Sequence, residues 1–120
     1  MPTEHQHQVA LIRWWSLECQ KYGVPESLLF AIPNGGARDC ITGARLKAEG
    51  VRKGIPDLCL AVPNNDFHGL YIEMKTEKGR ASKEQKELIS ILSSMGYRAV
   101  ICFSWVEARQ EITEYLSARG

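Results

Sequence analysis

An acid and a base stand two positions apart in the apolar segment Leu70-Tyr71-Ile72-Glu73-Met74-Lys75. Strand alternation points Leu70, Ile72 and Met74 to one face and Tyr71, Glu73 and Lys75 to the other, so the carboxylate and the ammonium share a face. Asp57 lies 16 positions before Glu73, where it follows Pro56 and opens the apolar segment Asp57-Leu58-Cys59-Leu60-Ala61-Val62. Hairpin pairing of the two segments brings the Asp57 carboxylate beside that of Glu73. Carboxylates this close repel each other unless a cation lies between them. Oxygen ligands suit a hard ion, Mg2+ or Mn2+, better than zinc or copper, and the Met74 backbone carbonyl offers a third protein oxygen. Such an ion polarises a phosphate and lowers the pKa of a bound water. Lys75 then orients that water, helps to deprotonate it, or stabilises charge on a phosphorane-like transition state, and the sequence leaves the three roles open. An isolated Glu-x-Lys on a strand is ordinarily a solvent-facing ion pair. The Gly54-Ile55-Pro56-Asp57 strand opening at hairpin distance is what sets this one apart.

Val9, Leu11, Ile12, Trp15 and Leu17 recur at nearly helical spacing, which predicts a helix from about Glu4 to Tyr22, stopped by Gly23-Val24-Pro25. Leu28-Leu29-Phe30-Ala31-Ile32 reads as a strand ended by Pro33-Asn34-Gly35-Gly36, and Thr42 to Ala48 as a short helix closed by Gly50. After the Asp57 strand, Pro63-Asn64-Asn65-Asp66 turns the chain into the return strand from Gly69 to Thr76. Ser82 and Gln85 fit a capping box for a helix to Met95 with the stripe Leu88, Ile89, Ile91, Leu92 and Met95. A strand over Arg98 to Phe103 and a helix over Val106 to Leu116 complete an α/β order, a mixed sheet flanked by helices. Trp14 and Trp15 point about 100° apart on a helix, so one enters the core and the other is free for a partner.

A chain of 120 residues is the size of one domain, residues 1–120. Fifteen Lys and Arg against 14 Asp and Glu give a net charge of +1, too little for a protein that simply coats nucleic acid. The distribution says more. Arg38, Arg45, Lys47, Arg52 and Lys53 face only Asp39 and Glu49 ahead of the Asp57 strand, while Lys78 and Arg80 belong to a second basic cluster after Lys75. These seven basic residues are candidates for backbone phosphate contacts, which position a nucleic acid without reading its sequence. Asn34, Gly35 and Gly36 either bring backbone N–H groups to a phosphate or form a plain turn. Cys19, Cys40, Cys59 and Cys102 have no metal-ligand spacing and read as reduced structural thiols. No leader-like or membrane-spanning segment is evident, which points to the cytoplasm of a bacterium or a phage-infected host. His5 and His7 read as exposed terminal residues, and His68 carries no clear role.

The words Gly54-Ile55-Pro56-Asp57-Leu58, Tyr71-Ile72-Glu73-Met74-Lys75 and Ser82-Lys83-Glu84-Gln85, preceded by Glu4 and Pro33-Asn34-Gly35-Gly36, resemble the VRR-NUC family of virus-type replication-repair nucleases from Glu4 to about Ser104. The resemblance implies a restriction-endonuclease-like PD-(D/E)xK core, dependence on Mg2+ or Mn2+, and nicking of branched or structured DNA such as Holliday junctions. It carries the metal-binding acids onto Asp57 and Glu73, the backbone oxygen onto Met74 and the catalytic lysine onto Lys75. Glu4 and Gln85 follow as supporting members, Glu4 as a ligand directly or through water. Gln85 either caps its helix at Ser82 or acts beside Lys75. Similarity to stand-alone members further implies a homodimer. Two rival functions stay open: a non-catalytic DNA-junction binding module, for which the basic clusters suffice, and a restriction-type endonuclease that follows base sequence rather than branching.

Overall fold

Thr3 starts the first helix with a complete capping box. Its side chain accepts a hydrogen bond from the Gln6 backbone N–H at 3.1 Å, and its own N–H donates to the Gln6 side chain at 2.9 Å. The computed structural model describes residues 1–33 and 40–120, the side chains of 40–42 aside. In chain order the elements are α1 (Glu4–Glu18), β1 (Leu29–Ala31), α2 (Cys40–Ala48), β2 (Leu58–Leu60), β3 (Leu70–Met74), α3 (Lys83–Ser94), β4 (Arg98–Cys102) and α4 (Trp105–Ser117). Short 3-10 turns occupy Cys19–Tyr22 and Glu26–Leu28. The expected Asn34-Gly35-Gly36 turn and Arg38 lie outside the described residues, as does the Cys40 side chain.

The strands form one sheet in the order β1-β2-β3-β4, antiparallel across the first two pairs and parallel between β3 and β4. The antiparallel pairs need only turns, whereas the parallel pair needs a crossover, which α3 supplies. Asn64 shapes the β2–β3 turn by accepting from the N–H groups of Asp66 and Phe67 at 2.9 and 2.7 Å. One sheet face, with Leu58, Leu60, Leu70, Ile72 and Met74, packs on Leu11 and Trp15 of α1 and on Ala108, Ile112, Tyr115 and Leu116 of α4. Tyr115 fastens α4 to the end of β2 by donating to the Val62 carbonyl at 2.7 Å. The result is an α/β fold with a mixed sheet flanked by helices, as the sequence order requires.

Several side chains depart from the expected faces. Leu17 is 81% exposed, so the buried stripe of α1 is narrower than its apolar composition, with Leu11 and Trp15 at its centre. Trp15 is the core tryptophan and donates its indole N–H to the Glu26 carbonyl at 2.8 Å; Trp14 is half-buried and packs on the same core. Of the expected apolar stripe of α3, Leu88, Ile89 and Leu92 are half-buried, while Ile91 and the C-cap residue Met95 lie open. His7 is not a free terminal residue: its Nδ1 accepts from the Trp105 N–H at 3.1 Å and ties α1 to the start of α4. His68 packs edge-on against Tyr97. Cys19, Cys59 and Cys102 are buried free thiols.

Candidate active site

Asp57 stands one residue before β2, and continuing the β2–β3 register by one step sets it opposite Glu73. One Asp57 oxygen, Oδ2, accepts the Met74 N–H at 2.8 Å, which pins the carboxylate to the sheet. Glu73 is 2% exposed, the one charged residue among the buried ones described. Its Oε2 accepts from the Gln85 side-chain amide at 3.0 Å and lies 3.6 Å from the Lys75 ammonium. Its Oε1 is buried without a hydrogen-bond partner among the described residues. Burial, and after it the negative charge of Asp57, raise the Glu73 carboxyl to about 8; Lys75 pulls the other way and Glu4 adds to the rise.

A buried carboxyl with a partnerless oxygen, standing beside a second carboxylate, calls for a proton or a cation. The donor set therefore fits a hard divalent ion. Asp57 and Glu73 would supply the carboxylates to such an ion, and Met74, whose side chain is in the core, could contribute only its backbone. Among the described residues no group of three or more His, Cys, Asp and Glu side chains is gathered at one point.

Lys75 and Gln85 reach this point from different elements. Lys75 follows β3 and shares a face with Glu73, as alternation requires, and its side chain is 14% exposed. Gln85 caps its helix, its carbonyl accepting from the Ser82 N–H at 2.8 Å to close the capping box, and its amide also donates to Glu73. The loop before Asp57 meets the same helix start. Gly54, at φ +85°, comes so near that an added Cβ would lie 2.6 Å from the Glu84 carbonyl oxygen, a contact only glycine permits.

Asp57, Glu73, Lys75 and Gln85 open into a cavity of about 970 Å³, which Glu4 also lines from the first turn of α1. Lys47, Arg52 and Lys53 line it too, so three of the expected phosphate-binding residues stand at the acids' cavity. The other basic candidates among the described residues, Arg45, Lys78 and Arg80, do not line it. Arg45 is exposed and paired with Glu49 at 3.6 Å, and Lys78 and Arg80 are exposed beyond β3. Ser82 and Glu84 are cavity-lining residues that sequence reasoning did not place there. The capping box was the available signal for Ser82. An acid in the first turn of a helix is favoured by the helix dipole, so Glu84 carried none.

The VRR-NUC domain family matches residues 2–105. A solved structure described as a "VRR_NUC domain protein" is similar over 99% of this chain and 92% of its own, with a TM-score of 0.85 and 27% sequence identity. The comparison with curated proteins gives no match. With a family match spanning nearly the whole chain, and a fold shared with a protein of that description, the chain belongs to the VRR-NUC family, a family of nuclease type.

Proposed function

We propose that this chain is a Mg2+- or Mn2+-dependent endodeoxyribonuclease that nicks branched DNA, with a Holliday junction or a related structure as substrate. The observation that carries the reading is the buried Glu73, one oxygen unpartnered, opposite Asp57 in a cavity that Lys47, Arg52 and Lys53 line. Asp57, Glu73 and the Met74 carbonyl hold the ion, with Glu4 as a further ligand directly or through water. When bound, the ion polarises the scissile phosphate and lowers the pKa of the attacking water. Lys75 is within reach of the same point and offers an ammonium to negative charge developing on the phosphate oxygens. Gln85 keeps Glu73 in place. Lys47, Arg52 and Lys53 grip backbone phosphates, which selects for shape rather than base sequence. Arg38, Arg45, Lys78 and Arg80 fit as outer contacts to the arms.

No helix among the described residues is long and apolar enough to cross a membrane. A cytoplasmic single-domain nuclease acting on DNA as a homodimer is the form we propose. Digestion of a panel comprising a four-way junction, a flap, a replication fork and unrelated linear duplexes, with Mg2+ or Mn2+, tests it. Nicks near branch points and intact linear duplexes are expected; cuts that follow a base sequence in linear DNA would make it a restriction-type enzyme instead.

A further inference from the structure

We infer that Ser82 is a positioning residue of this site: its capping box orients the Gln85 amide and thereby fixes which oxygen of Glu73 is left open. The inference rests on the reading of Asp57 and Glu73 as a cation site.

The chain of contacts is short. Ser82 Oγ accepts the Gln85 backbone N–H at 3.1 Å, and the Ser82 backbone N–H donates to Gln85 Oε1 at 2.8 Å. A glutamine amide has one accepting end and one donating end. With the accepting end committed to Ser82, the NH2 faces Glu73 and donates to Oε2 at 3.0 Å. The reversed amide would set NH2 against the Ser82 N–H, so the capping box enforces one orientation. The Lys75 ammonium approaches the same Oε2 at 3.6 Å. Among the described residues both positive partners thus gather on Oε2, and Oε1 is the oxygen left buried without one. A capping box ordinarily does no more than start a helix. This one also sets the site because α3 begins over the sheet face that holds Glu73, and Ser82 itself lines the cavity. Groups that orient a metal ligand change metal affinity without touching the metal.

The test uses the full chain in two measurements. Side-chain amide NMR of the metal-free protein reads the Gln85 NH2 pair, and Mn2+ calorimetry reads the consequence. Wild type, Ser82→Ala, Ser82→Thr, Gln85→Met and the double variant Ser82→Ala/Gln85→Met are compared below their melting temperatures. Ser82→Gly, which lacks the hydroxyl yet retains most of the helix-starting tendency, replaces Ser82→Ala should that variant not fold. Wild type and Ser82→Thr should show two resolved, exchange-protected NH2 resonances that average towards free-amide positions in Ser82→Ala. Mn2+ affinity should fall about tenfold in Ser82→Ala, return in Ser82→Thr, and be no weaker in the double variant than in Gln85→Met. Unchanged affinity in Ser82→Ala would overturn the inference, as would losses that multiply in the double variant, because a cap serving only the helix gives those results. Mn2+ binding that is absent from wild type, or indifferent to Asp57→Asn, would defeat the cation reading instead. The NMR measurement then decides alone: averaged NH2 resonances in Ser82→Ala support the inference, and wild-type resonances there overturn it.

Discussion

Glu73 combines a titratable carboxyl, near-complete burial and an oxygen without a partner among the described residues, and the combination has a measurable consequence. In the metal-free protein its carboxyl is raised to about 8 against an ordinary 4.5, so between these values the folded chain holds a proton that the unfolded chain has released. Stability from this group is complete below the lower value and is lost as pH rises to the upper one, at no more than about 1.4 kcal/mol per pH unit for one proton. Melting temperatures in chelator from pH 5 to 9 should therefore fall more for wild type than for Glu73→Gln, which cannot titrate. Parallel curves would mean that the carboxyl is not held protonated. Lys75→Ala should leave most Mn2+ binding intact while lowering kcat roughly a hundredfold to a thousandfold, the scale of removing one donor to developing charge. Single-turnover cleavage checks this, and a fully active variant would take Lys75 out of the mechanism.

The loop before β2 and the start of α3 hold the two halves of the site together through backbone packing at Gly54. Gly54→Ala should cost about 1–3 kcal/mol for the positive φ alone, and the clash with the Glu84 carbonyl should push Asp57 away from Gln85 and Glu73. Denaturant melts and Mn2+ titration should both register the change; wild-type values in both would mean that the contact carries no weight. Sequence made much of this arrangement legible. The Asp57–Glu73 pairing follows from period-two alternation and hairpin distance, and the Ser82–Gln85 box from local spacing. The Gly54 contact was hidden because nothing local tells a loop glycine which distant backbone it meets. Gln85 was readable as a cap or as a neighbour of Lys75, and its bond to Glu73 appeared only with the placement of the α3 start against the sheet. The apolar residues of α3 and α1 overstated burial at Ile91, Met95 and Leu17, since periodicity shows which face is apolar and not whether anything covers it. Arg45 looked equal to Lys47 in a basic run, but the helix turns it towards Glu49 and away from the cavity.

Under the proposed function one copy of this chain offers one site and a limited surface for gripping DNA arms, whereas a four-way junction offers two equivalent strands. A twofold homodimer matches that symmetry. Trp15 is unavailable for the interface and Trp14 packs on its own core, which leaves the α3 face, with Ile91 51% and Met95 65% exposed, as the better candidate. Light scattering at micromolar concentration should give twice the 13.5 kDa chain mass, and Met95→Glu with Ile91→Glu should return it to one; a monomer that persists on junction DNA would require another explanation of paired cutting. Replacing Arg52 and Lys53 together should lower the salt slope of log binding affinity by roughly 1 to 2 units if both contact phosphate, and an unchanged slope would move DNA away from the cavity. All of this presupposes that the acids cut DNA rather than merely stand beside it. The most direct measurement is Mn2+-dependent cleavage of a labelled four-way junction by wild type and Glu73→Gln, with junction binding followed by gel shift in the same samples. The variant should bind as wild type does and cleave at least about a hundredfold more slowly. Cleavage by Glu73→Gln at the wild-type rate, or no metal-dependent cleavage by either protein despite tight binding, would contradict the account and leave a junction-binding module in its place.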